Sequence, residues 1–172
     1  TKQRDYLERA LNASTSLLQI LNDILDTSKI QAGKLDLEIK PYRIAELMVK
    51  SEKLFKYQAE QKNIEINTLI ADEAQDLIIN TDAHRLEQVM NNLLNNAVKF
   101  TESGAIELSL SAELMDNTNT CLKISVKDTG IGIPADKISE LFNDFTQSDI
   151  SHSRKHGGTG LGLSISKRLI EL

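Results

Sequence analysis

Three groups of residues in this sequence have types and spacings that can do chemistry. Asn92, Asn96 and Lys99 are separated by steps of four and three, which on a helix aligns two amides and an ammonium along one face. Amides compete for backbone hydrogen bonds and are poor helix-interior residues, so three Asn within Asn92–Asn96 need an offsetting benefit. An amide oxygen is a hard neutral ligand suited to Mg²⁺, a cation that keeps most of its waters and works through phosphates. A lysine one turn on can then neutralise a phosphate. The other reading is a solvated polar face.

The second group is Asp128-Thr129-Gly130-Ile131-Gly132-Ile133-Pro134, directly after an alternating apolar run that ends at Val126. Two glycines one residue apart let the backbone turn sharply and come close to a flat ligand. The Asp128 carboxylate at the strand end can accept a hydrogen bond from an exocyclic amine; a plain strand-to-helix turn with an Asp cap is the alternative. The third group, Gly157-Gly158-Thr159-Gly160-Leu161-Gly162-Leu163, precedes a helical pattern. Its amides, with the positive end of the helix dipole, can point at anions. It is neither a Walker loop nor a dinucleotide GxGxxG, and a flexible hinge is its bland alternative.

Elements that would carry these groups follow from apolar periodicity. Leu7, Leu11, Ser14, Leu18, Leu21, Leu25 and Ser28 alternate in steps of four and three, a heptad seam on a first helix, with Gly33 as its stop. That seam predicts pairing with a separate helical partner, or else an amphipathic helix lying on its own domain. Leu35, Leu37 and Ile39 predict a short strand ended by Pro41. A helix to about Gln61, strands at Ile64–Ile66 and Leu77–Ile79, and a helix over 83–99 follow. Thr81 or Asp82 is the expected N-cap of that last helix. Two long strands, Ile106–Leu114 and Leu122–Val126, come next with a polar hairpin between them. Pro134 predicts a short helix, residues 143–158 a long polar segment, and Thr159–Leu172 a helix. The fold class is mixed α/β, with a mostly antiparallel sheet and helices on one face.

Composition narrows the function classes. With 172 residues, 40% apolar and 26% charged, the chain can bury a real core. Net charge is −5 and aromatics are 4% with no Trp, which argues against a nucleic-acid partner. The longest charge-free stretch, Ala10–Asn22, has 13 residues, short of the about 20 that a membrane span needs. The single cysteine, Cys121, allows no internal disulfide and fits a reducing compartment.

Together these motifs resemble the catalytic, ATP-binding domain of sensor histidine kinases, in the wider family of gyrase-, chaperone- and mismatch-repair-type ATPases. Residues 82–101, DAHRLEQVMNNLLNNAVKFT, are similar to the N box, and Asp128–Pro134 to the first glycine box. Leu141-Phe142-Asn143-Asp144-Phe145 resembles the F box, and 157–163 the second glycine box. Asp23-Ile24-Leu25-Asp26 with Ser28–Lys34 resembles the end of the second dimerisation helix. Phe145-Thr146-Gln147 through Asp149, Ser151 and Arg154 resembles a hybrid-kinase lid.

The resemblance implies an α+β fold, an α/β sandwich of the Bergerat type. Residues 1–33 would be the end of the dimerisation region, and 34–172 a catalytic domain lacking the family's last strands. It implies ATP and Mg²⁺ as ligands. Asn96 would hold the metal, Asn92 would support it or the γ-phosphate, and Lys99 would contact a phosphate. Asp128 would read the adenine amino group, with Gly130 and Gly132 shaping the pocket. Arg154 is a candidate γ-phosphate contact, and Gly158, Thr159, Gly160, Leu161 and Gly162 would wrap the phosphates. Phe142 and Phe145 are expected as lid anchors in the core. His84, His152 and His156 match no phosphoacceptor motif and read as surface residues, so the acceptor histidine is expected outside this chain. Expected partners are a second subunit through the helix at 1–30 and a response-regulator receiver domain, with no nucleic acid and no membrane contact by this segment. The expected place is the cytoplasm, as the cytosolic part of a membrane-anchored sensor. A nucleotide-binding and dimerisation module without turnover is the alternative. A hydrolysing ATPase is disfavoured, because Asn92 stands where those enzymes place a glutamate base.

Overall fold

A computed structural model describes residues 2–114, 120–143 and 160–172. The chain divides into two compact units, residues 37–140 and residues 1–36 with 141–172.

In the unit at 37–140 the elements are β1 (Lys40–Arg43), α2 (Ile44–Gln61), β2 (Ile64–Ile70), a 3-10 turn (Asp72–Ala74) and β3 (Ile78–Thr81). They continue with α3 (Ala83–Phe100), β4 (Gly104–Leu114), β5 (Thr120–Asp128) and a 3-10 turn (Ile138–Glu140). Strands β1 and β3 form an antiparallel ribbon; β2, β4 and β5 form a second sheet in that order. Within it β2 and β4 run parallel from Ile64 opposite Gly104, and β4 and β5 antiparallel from Ile106 opposite Asp128. The sheet is therefore mixed, because the return from β2 to β4 crosses over through β3 and α3.

The period-2 pattern of β4 turns Ile106, Leu108 and Leu110 into the core. There they meet Ile44, Leu47, Met48 and Phe55 of α2 and Met90, Leu94, Ala97 and Val98 of α3. Both helices lie on this one apolar face. Each fully buried Leu, Ile or Met contributes about 1.5–3 kcal/mol, which makes this face the rigid base under everything carried by α3.

In the other unit, α1 (Lys2–Gln31) packs against α4 (Gly162–Glu171). Helix α1 closes as expected at Gly33 (φ +61°), where the amides of Gly33 and Lys34 bond back to the carbonyls of Ile30 (3.0 Å) and Lys29 (2.9 Å). The heptad leucines Leu7, Leu11, Leu18, Leu21 and Leu25 are between 49% and 71% exposed. Among the described residues no helix is long and apolar enough to cross a membrane.

Three local expectations are corrected. Residues 34–39 form no strand; the strand is β1, which contains Pro41. A two-stranded ribbon offers each strand an outer edge, where a missing N–H costs nothing. Pro134 opens no helix, only turns leading to the 3-10 segment at Ile138–Glu140. Phe142, on the turn at 141–143, is 46% exposed rather than in a core. The expected hybrid-kinase lid, from Phe145 through Arg154, lies outside the described residues.

Candidate functional site

The face of α3 is set at both ends. Asp82 is its N-cap: Oδ1 accepts from the Arg85 N–H (3.1 Å), and Oδ2 accepts from the Glu38 N–H across the chain (3.0 Å). Burial alone would push the Asp82 carboxyl up. The amides of Glu38, Arg85 and His84 outweigh that and hold it below its ordinary value. With Val89, Met90, Leu94, Ala97 and Val98 buried, Asn92, Asn96 and Lys99 lie together on the half-buried flank, and His84 is exposed. Burial lowers the pKa of Lys99, whose ammonium also sits 4.7 Å from the centre of the Phe100 ring.

The C-terminus of α3 is joined to the first glycine loop. The Phe100 carbonyl, unable to find a partner within the helix, accepts from the Ile131 N–H at 3.3 Å. Asp128 Oδ1 accepts from the Gly130 N–H at 2.8 Å, closing a turn. The Thr129 N–H donates to the Ala105 carbonyl (3.2 Å), and Thr129 Oγ1 accepts from the Ala105 N–H (3.0 Å). Thr129 thus extends the β4–β5 ladder by one clasp beyond the strand end. A pocket of about 240 Å³ opens beside the loop, lined by Glu102, Ser103, Thr129, Gly130 and Ile131.

Gly130 has no room for a side chain. A Cβ there would press into the Phe100 carbonyl oxygen and lie 2.8 Å from Asp128 Oδ1. Gly132 differs: its surroundings are open, but its φ of +69° is one that L side chains rarely adopt.

The site residues fall into both units. Asn92, Asn96, Lys99, Asp128, Gly130 and Gly132 belong to the unit at 37–140, where α3 and the first glycine loop are brought together. Gly160, Leu161 and Gly162 belong to the other unit and lead into α4. There Leu161 is the N-cap, and its carbonyl accepts from the Ile165 N–H at 2.9 Å. The Leu161 side chain is buried. Leu161 makes no side-chain cap to α4, and a helix N-terminus of this kind can favour an anion. Arg154, Gly158 and Thr159 lie outside the described residues, as do His152 and His156.

The donors present fit a cation carried mainly by phosphates. Among the described residues no three His, Cys, Asp or Glu side chains cluster in a way that could hold a metal. A half-buried amide, Asn96, stands one turn from a lysine instead. Mg²⁺ asks for little more from a protein when a phosphate supplies the rest. Two contributors were not singled out from sequence: Thr129, the clasp, and Lys62, whose ammonium bonds the Val98 carbonyl at 2.6 Å. A lysine in a helix-to-strand turn has no local signature of such a contact.

A family model described as "Histidine kinase-, DNA gyrase B-, and HSP90-like ATPase" matches residues 81–172, the span that holds every site residue expected from the sequence. The signal transduction histidine-protein kinase BarA of Escherichia coli K12 is 40% identical over 168 residues, covering 98% of this chain and 18% of BarA. The sensor protein GacS of Pseudomonas syringae pv. syringae is 42% identical over 170 residues, covering 99% of this chain and 19% of GacS. This chain therefore spans about a fifth of those relatives' lengths. Among solved structures, full-length ShkA in complex with AMPPNP superposes with a TM-score of 0.79 at 32% identity, over 98% of this chain and 34% of that one. On this match, which takes in more than half of its length, the chain belongs to the histidine kinase-, DNA gyrase B- and HSP90-like ATPase family.

Proposed function

We infer that this chain is the ATP-binding catalytic part of a two-component sensor histidine kinase. In this reading residues 34–172 form the catalytic domain, and residues 1–33 are the end of the dimerisation region. The observation that carries it is the bond between α3 and the first glycine loop. Through Ile131 N–H and Phe100 O, one rigid piece holds both the amide–ammonium face and the Asp128 carboxylate.

Asp128, with one oxygen engaged by its own loop, offers the carboxylate to the adenine amino group. Asn96 supplies the amide oxygen for Mg²⁺, and Asn92, one turn earlier, holds its waters or the γ-phosphate. Lys99 donates its ammonium to a phosphate; partial desolvation strengthens that contact, since charges interact more strongly away from water. The resemblance assigns the remaining phosphate charge to Gly158, Thr159, Gly160, Leu161 and Gly162, with Arg154 as a candidate γ-phosphate contact. When bound, the metal neutralises charge on the phosphate oxygens, and the protein contributes chiefly positioning.

The nucleophile is a histidine nitrogen from another segment. It forms the new N–P bond as the bond from the γ-phosphorus to the ADP oxygen breaks. The phosphoryl group then passes to an aspartate of a receiver domain. Asn92 has no proton-accepting pair to activate water, so transfer to histidine is favoured over hydrolysis. The exposed leucines of α1 are the surface for a homodimeric helical bundle, placed on the cytoplasmic side of a sensor.

The test is calorimetric titration with a non-hydrolysable ATP analogue, with and without Mg²⁺, alongside Asp128→Ala. Radiolabelled ATP is then added with a supplied histidine-bearing helix pair. Saturable Mg²⁺-dependent binding lost in the variant, and label on the helix pair, support the kinase. Binding without label would instead make this a nucleotide-binding and dimerisation module.

A further inference from the structure

The last four carbonyls of a helix have no partner inside it, and in α3 three different donors meet them. Ala97 O accepts from the Thr101 N–H (3.0 Å), and Phe100 O from the Ile131 N–H (3.3 Å). Val98 O and Lys99 O both face one ammonium, Lys62 Nζ, at 2.6 and 3.4 Å. Lys62 is itself the C-cap of α2, where its backbone N–H bonds back to the Ala59 carbonyl. Asn63 then turns the chain through φ +55° into β2. Because β2 and β4 run parallel with Ile64 opposite Gly104, the residues just before each strand are neighbours. A lysine ending one helix therefore closes the next.

We propose that Lys62 is a positioning residue for nucleotide binding: its ammonium, bonded to the Val98 and Lys99 carbonyls, holds the last turn of α3 and through it Lys99. This rests on the reading of Lys99 as a phosphate contact. A cation at a helix C-terminus is favourable in itself, and a 2.6 Å contact is a charge-assisted bond of the stronger kind. Without it two half-buried carbonyls face water or each other, and the turn that aims Lys99 unwinds. The same turn carries Phe100, so the Ile131 contact loosens as well.

Lys62→Met keeps the length and apolar stem and removes the charge, while Lys62→Arg retains a donor. Two measurements on the full chain separate positioning from plain stability. In hydrogen exchange without nucleotide, Lys62→Met should speed the amides of Lys99, Thr101 and Ile131 by about tenfold, the size of one charged hydrogen bond. Core amides such as Leu47 and Leu108 should stay unchanged. In titration with the ATP analogue, Lys62→Met should weaken binding about tenfold, with Lys62→Arg recovering most of it. On a Lys99→Met background the same change should add less than about twofold, because two residues acting through one contact are not additive. Uniformly faster exchange, or an equal loss with and without Lys99, would overturn the proposal. A wild-type chain that binds no nucleotide would sink the reading of the site instead, and the local exchange pattern would still decide whether Lys62 holds the turn.

Discussion

Replacing Gly130 by alanine tests whether the joint between α3 and the first glycine loop is real and required. The new Cβ would press into Phe100 O, lie 2.8 Å from Asp128 Oδ1 and 2.9 Å from the Phe100 carbonyl carbon. Two of these three atoms are backbone at the end of a packed helix, so the loop must move rather than the helix. Moving it breaks the Ile131 N–H to Phe100 O bond and the Gly130 N–H to Asp128 Oδ1 bond. One neutral and one charge-assisted bond total about 2.5–4 kcal/mol. Alanine returns about 0.4–1 kcal/mol by restricting the unfolded chain. The net cost is about 1.5–3.6 kcal/mol, which moves a urea midpoint by about 1–2 M for a domain of this size. Far-ultraviolet circular dichroism reads it, with the ATP analogue titrated in parallel. Gly132→Ala is the control: with open space around it and φ +69°, it should cost only the about 1–2 kcal/mol of a left-handed residue. A Gly130→Ala protein with wild-type midpoint and affinity would refute the steric argument and free α3 from the loop.

Two further outcomes are expected. Asp82 has its folded pKa below 3.8, so its contribution is present above that value and is lost as pH falls through the lowered one. Asp82→Asn keeps a capping oxygen but loses the second oxygen that accepts from the Glu38 N–H, which should cost about 1.5–3 kcal/mol at neutral pH, and its deficit against wild type should narrow in acid below 3.8; a gap that persists unchanged would deny the linkage. For the seam, Leu18→Glu with Leu25→Glu alters side chains already 62% and 56% exposed. Sedimentation equilibrium should therefore show loss of self-association with the helical signal kept, and a dimer indifferent to both changes would place the interface elsewhere.

The chemistry-bearing residues were readable because the demands on them are local. Steps of four and three align Asn92, Asn96 and Lys99 on any helix, and Asp82 caps α3 because a carboxylate three residues ahead of an amide can reach it. The glycines of the first loop announce a backbone that must bend or come close, and Gly130 and Gly132 do so for different reasons. The strand register was less legible. Alternation at Leu35, Leu37 and Ile39 marks a strand only if a partner lies alongside, and β3 pairs with Lys40–Arg43 instead. What joins these pieces came from tertiary structure alone. Lys62 reaches Val98 across 36 residues, and Thr129 clasps Ala105 across 24. Neither contact leaves a trace in spacing or composition. Both exist because β2 and β5 flank β4 in a set register, which brings the ends of α2, α3 and β5 to one end of the sheet.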